Sequence, residues 1–174
     1  MLAVHFRFGL SIVAFAISLV FLGQWMRTAR WTEIRPAGEG FSVALPGEPG
    51  RTVLNGGHEV VYEGVLPGAR YAVAVQDVDD VIAKMDTYEI YILASSGQPE
   101  GVVRRDVTVG SMRGRELDWR TGSKTIKVRF FVAGQRVYLL RILSGSERVE
   151  RASRDTKRFF ESFSLLEDRA ALAK

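Results

Sequence analysis

The sequence predicts an α+β fold: an antiparallel sheet of about seven strands sandwiched by helices, preceded by one N-terminal transmembrane helix. Three observations predict it. Runs rich in Val, Tyr and Phe succeed one another between residues 31 and 143, separated by short breaks that contain Gly, Pro or Asn, the pattern of an antiparallel meander. Helical spacing replaces that alternation over 79–96 and 148–163. An uncharged run, FGLSIVAFAISLVFLGQW, stands ahead of everything else at 8–25.

The apolar run decides where the rest of the chain works. Eighteen residues at the helical rise span about 27 Å, close to the hydrocarbon thickness of a bilayer. A cleaved secretory signal has a shorter apolar core with small residues after it. Here the chain continues QWMRTARW, with Arg27 where a small residue is wanted for a cut after Ala29. The expectation is an anchor that stays, over 8–26, with Phe8, Leu10, Ile12, Val13, Phe15, Ile17, Leu19, Val20, Phe21, Leu22 and Trp25 against lipid. Trp25 and Trp31 suit the far interface. Orientation has arguments on both sides. Arg7 precedes the run, whereas Arg27, Arg30 and Arg35 come after it, which by the positive-inside rule favours a cytoplasmic C-terminal side. The tail of residues 1–7 is very short, the layout of a signal-anchor that exports its C-terminal domain.

Residues 27–40 read as a linker with a first short strand, WTEIR, and 41–166 as the globular domain, with a tail at 167–174. FSVAL (41–45) alternates and stops at PGEPG. The segment 51–54 meets NGG, a hairpin signal, and HEVVYEGV (58–65) turns at LPG into ARYAVAVQDV (69–78). From Asp79 to Ser96 a helix is expected, with Asp79 or Asp80 as its cap and Val81, Met85, Tyr88 and Ile92 along its apolar stripe. Four strands come next: 102–109, 112–119, 124–132 and 136–143. RVYLLRIL (136–143) is apolar on both faces, which marks a central strand. In KTIKVRFFV, Ile126, Val128, Phe130 and Val132 share one face and Lys127 and Arg129 take the other. The final helix buries Val149, Ala152, Phe159, Phe160 and Phe163.

Charge is divided unevenly. The formal net charge is +4, and the chain has no cysteine, so disulfide and thiolate chemistry are excluded. Residues 36–100 hold 3 Lys/Arg and 10 Asp/Glu, whereas residues 101–174 hold 17 and 9. Such asymmetry means either mutual pairing within one domain or a polar interaction surface.

Catalytic candidates are few. His58 is the sole histidine beyond the N-terminal tail and comes after a turn; no Ser-His-Asp set or metal-ligand spacing can be built on it. Asp77, Asp79 and Asp80 suit a hard cation, but helix capping accounts for them more simply. Gly110, Gly114 and Gly122 lack phosphate-loop spacing. The expectation is no catalytic, metal or cofactor site. The basic residues Arg104, Arg105, Arg113, Arg115, Arg120, Lys124, Lys127 and Arg129 lie on adjacent expected strands. They read either as a face for an acidic partner or anionic headgroups, or as a solvated face paired with Asp106, Glu116 and Asp118. Without an aromatic platform they do not suit nucleic acid.

Four stretches carry more information: GFSVALPGEP (40–49), GREL (114–117), RFFVAGQRVYLLRILSG (129–145) and RFFESFSL (158–165). Their order and phrasing resembles the PsbP-like domain family, whose fold is shared with the Ran-binding Mog proteins and which includes membrane-anchored bacterial members. The resemblance covers roughly residues 31–166. It implies an α/β/α sandwich without catalytic residues, acting by binding, as members do on a small GTPase or as an extrinsic subunit at a photosystem. It also implies a bacterial inner-membrane protein with its C-terminal domain in the periplasm. The function expected is that of a single-pass, non-catalytic interaction module. It would be an accessory or scaffolding subunit of a larger membrane complex, photosynthetic or electron-transfer. The alternative is an extracytoplasmic small-ligand or lipid-binding domain.

Overall fold

The computed structural model of the chain describes residues 30–145 and 149–166. The anchor expected at 8–26 and the tail at 167–174 lie outside these residues. Among the described residues no helix is long and apolar enough to cross a membrane.

The elements run β1 (Trp31–Ile34), β2 (Phe41–Pro46), β3 (Gly50–Leu54), β4 (Glu59–Leu66), β5 (Ala69–Asp77), α1 (Met85–Ser95), β6 (Val103–Val109), β7 (Met112–Thr121), β8 (Lys124–Ala133), β9 (Arg136–Gly145), α2 (Val149–Ser162) and β10 (Ser164–Leu165). Seven of the strands form one sheet in the order β3-β4-β5-β9-β8-β7-β6. Every neighbouring pair is antiparallel. The apolar strand β9 is its centre, as its sequence requires. Tyr138, Leu140 and Ile142 enter the core on the α2 side, and Val137 enters a second core on the α1 side.

The first two strands depart from the single-sheet expectation. β1 and β10 flank β2 in a separate three-stranded sheet. Phe41, Val43 and Leu45 of β2 are fully buried, and so is most of Ser42, which hydrogen-bonds Ser164 Oγ at 2.8 Å. The backbone N–H of Ala44 donates to Ser162 Oγ at 2.9 Å. β2 therefore packs as a second layer beside α2, and a strand covered on both faces need not alternate. Aromatic rings fill the space between the layers: Phe163 stacks on Phe41 and on Phe131, with centroids 5.9 and 5.5 Å apart. Phe159 and Phe160 are buried in the same core.

The mid-chain helix is shorter than its sequence period. It begins at Met85, with Lys84 at the cap position and no side-chain cap. Asp79 and Asp80 are not caps. The Asp79 carbonyl accepts from the N–H groups of Ile82 and Ala83 in a preceding turn, and Asp80 Oδ1 accepts from Gln135 Nε2 at 2.9 Å. Val81, assigned to the apolar stripe, is instead 72% exposed. Tyr88 and Ile92 do face the sheet, packing with Leu117, Trp119, Val128 and Phe130.

Gly114, the glycine of the GREL stretch, has a packing reason. A Cβ there would collide with the Phe131 ring and the Phe130 carbonyl on β8, so only glycine lets β7 lie beside that ring.

Candidate functional site

The alternation of β6, β7 and β8 separates the basic residues instead of gathering them. Cross-strand register places Arg104 opposite Leu117 and Asp106 opposite Arg115, on the face that α1 covers. It places Arg105 opposite Glu116 and Glu116 opposite Arg129, on the face toward α2. The single basic surface expected from sequence is therefore corrected to two clusters, back to back through the sheet, because side chains of successive strand residues point to opposite faces.

On the α1 side the centre is Glu89, a carboxylate only 7% exposed. Arg104 Nε donates to its Oε1 at 2.5 Å, and Arg115 Nη1 donates to its Oε2. Arg115 also reaches Asp86 Oδ1 at 2.8 Å and lies 3.7 Å from Asp106. Burial pushes the Glu89 carboxyl up, but the hydrogen bonds and charges of Arg104 and Arg115 together outweigh it and hold the group below the ordinary glutamate value. The hydrogen bonds to Glu89 and Asp86 raise the Arg115 guanidinium above its own ordinary value. These groups line an open cleft of about 440 Å³, bounded by Asp86, Glu89, Ile90, Arg104, Arg105, Asp106 and Arg115.

On the α2 side Glu116, also 7% exposed, plays the matching part. Arg105 Nη1 donates to its Oε1 at 3.1 Å and Arg129 Nε to its Oε2 at 2.6 Å. The Arg129 guanidinium lies over the Phe160 ring, 4.3 Å from its centroid. Lys127 donates to Asp118. Lys127 and Arg129 do leave the face of Val128 and Phe130, but their side chains are only 30% and 25% exposed, so they close the edge of the α2 core more than they meet solvent. Arg113 is exposed and forms no ion pair among the described residues.

The Asp77–Asp80 segment likewise resolves into local pairs. Asp77 Oδ1 accepts from Arg136 Nε at 2.9 Å. Among the described residues no group of three His, Cys, Asp or Glu side chains is placed to hold a metal ion. His58 is exposed beside the turn between β3 and β4.

Sequence reasoning named Asp106, Glu116 and Asp118 as partners of the basic set and missed Glu89 and Asp86. The signal was present: Glu89 lies between Met85 and Ile92 on the inward side of a helix, where an acid needs a cation. Also missed was the outward side of α1, where Ile90 is 67% and Tyr91 50% exposed. Tyr91 rests against the buried Tyr88, ring centroids 5.8 Å apart, and Ile90 overhangs the cleft beside Arg104. What this arrangement offers chemically is recognition: every ionised group in the cleft faces an opposite charge, and an apolar ridge stands beside them.

No family model and no curated protein sequence matches the chain. Solved structures do. The chain is similar to cyanobacterial PsbP (CyanoP) from Synechocystis sp. PCC 6803, with a TM-score of 0.58 at 10% identity, over 79% of this chain and 93% of that one. It is similar to a variant of the protein Mog1, with a TM-score of 0.50 at 9% identity, over 81% of this chain and 98% of that one. The likeness at these identities is one of fold, and the fold is the one that the sequence resemblance implied.

Proposed function

We propose that the protein is a membrane-tethered, non-catalytic interaction module, an accessory or scaffolding subunit of a larger membrane protein complex. The observation that carries this reading is the outward side of α1. Ile90 and Tyr91 are exposed beside the arginine-lined cleft, and a surface of Tyr, Ile and half-exposed Arg is the composition of a protein–protein hot spot. The apolar run at 8–26 supplies the tether, which holds such a surface near membrane partners at high effective concentration. The proposed host is a photosynthetic or electron-transfer complex, in line with the likeness to cyanobacterial PsbP, and the proposed place of the domain is the periplasm at a bacterial inner membrane.

Gentle solubilisation of native membranes tests this. The full chain should migrate with other membrane proteins, well above its own mass. The cleft's volume lies within the size range of small-molecule sites, although such sites are mostly apolar. A chain that migrates alone in mild detergent and retains a small molecule would replace the interaction module with a ligand-binding domain.

A further inference from the structure

Arg104, Arg105, Arg115, Lys127 and Arg129 are engaged with buried or half-buried acids. While the exposed Arg113 lies at one end of the sheet, a second group of exposed cations gathers at the other. The turn between β4 and β5, the turn between β7 and β8 and the end of β9 meet there, since Leu66 pairs with Ala69, Thr121 with Lys124, and Lys124 with Gly145. Residue 30 is at the same end: its carbonyl accepts from the Gly47 N–H at 2.7 Å, and a Cβ on Gly47 would lie 4.0 Å from the Val65 carbonyl. Exposed at this end are Arg30, Arg70, Arg120 and Lys124, together with Val65 and Pro67. Arg120 and Lys124 form no ion pair among the described residues, and Arg70 has only Glu63 at 3.7 Å. Among the described residues the exposed acids nearby are Glu48 and Glu100, on the approaches to β3 and β6.

We infer that this end of the sheet docks on anionic phospholipid headgroups, with Arg70, Arg120 and Lys124 as the contacts. The inference rests on the reading of 8–26 as a membrane span. Trp25, at the close of that span, is five residues from Arg30, a reach of at most about 17 Å. The opposite end of the sheet is roughly 30 Å further along its ten-residue strands. Of the two ends, only this one stays close to the lipid surface, where the attraction of cations to anionic headgroups acts within a Debye length of about 8 Å at physiological salt. Val65 and Pro67 add apolar surface at the same level.

The chain has no cysteine, so single fluorophores can be placed by Ser123→Cys, in the turn between β7 and β8, and by Ser111→Cys, at the opposite end of the sheet. The full chain is reconstituted in vesicles of phosphatidylcholine alone or of phosphatidylcholine and phosphatidylglycerol in equal parts, each carrying a headgroup quencher. The label at 123 should be quenched in the anionic vesicles, less so in the neutral ones, and the label at 111 in neither. Arg120→Gln and Lys124→Gln should each shift the docked population about fivefold toward undocked, with thermal unfolding unchanged. Equal quenching at 123 in both vesicles, or none in the anionic ones, overturns the inference. Alkaline carbonate extraction reads the span separately. A chain that resists extraction but shows no quenching at 123 keeps its anchor and loses the docking face. A chain that is extracted, yet quenched at 123 in anionic vesicles, keeps the face and loses the anchor.

Discussion

On the α2 side of the sheet, β2, α2 and the residue after it pack an aromatic layer on β8, in which Phe41, Phe131, Phe159, Phe160 and Phe163 are buried. On the α1 side a single 11-residue helix covers Leu117, Trp119, Val128 and Phe130. It brings a buried acid to two arginines and turns Ile90 and Tyr91 outward. The first face has committed its phenylalanines to its own core. The second retains exposed apolar and charged groups next to each other. In the proposed reading stability and recognition are divided between the two faces, and substitutions on each should fail in different ways.

The largest effect is expected on the α2 side. Phe160→Ala should cost about 3–5 kcal/mol through the cavity and lost transfer energy, and it also removes the ring beneath Arg129. Thermal unfolding should show a fall of roughly 10 °C or more. A fall of only a degree or two would place Phe160 outside the core and erase the contrast between the faces.

Glu89→Ala comes next. It leaves Arg115, whose side chain is only 23% exposed, with the exposed Asp86 and Asp106 alone, while Arg104 can turn to solvent. The cost should be about 2 kcal/mol, below that of breaking a fully buried pair. A double-mutant cycle with Arg104→Ala should show the two substitutions to be non-additive.

The same carboxylate sets a pH dependence. Its pKa is lowered in the folded chain, so its contribution is complete above the ordinary glutamate pKa and is lost as pH falls through the lowered one. The stability gap between the wild type and Glu89→Gln should accordingly narrow during acid titration of denaturant unfolding. A gap that widens toward acid would reverse the sign assigned to Glu89.

Much of this contrast was legible in the chain, for reasons particular residues show. The meander from β6 to β9 could be read because each turn carries a glycine, β8 alternates through Ile126, Val128 and Phe130, and β9 is apolar on both faces. The aromatic stripe of α2 could be read because Phe159, Phe160 and Phe163 fall on one helical side. The start of α1 could not be placed, since Asp79 and Asp80 are good caps in isolation and only their tertiary partners show that they serve a turn. The position of β2 in a second sheet was hidden because its core residues would alternate identically in either layer. The basic set misled for a related reason. Arginines adjacent in sequence on neighbouring strands look like one surface, yet Arg104 and Arg105 point to opposite faces. Glu89 escaped notice because its partners are contributed by strands that come after it in the chain.

The smallest effect on stability should come with the largest effect on association. Ile90→Asp with Tyr91→Ser alters exposed side chains and should shift unfolding by less than about 0.5 kcal/mol each. The most direct measurement compares this double variant with the wild type, both as full chains in native membranes, by electrophoresis after mild solubilisation. The wild type should migrate in a larger assembly, and the variant should fall to its own mass with its melting temperature nearly unchanged. A variant that still migrates with the assembly would contradict the assignment of recognition to the α1 face.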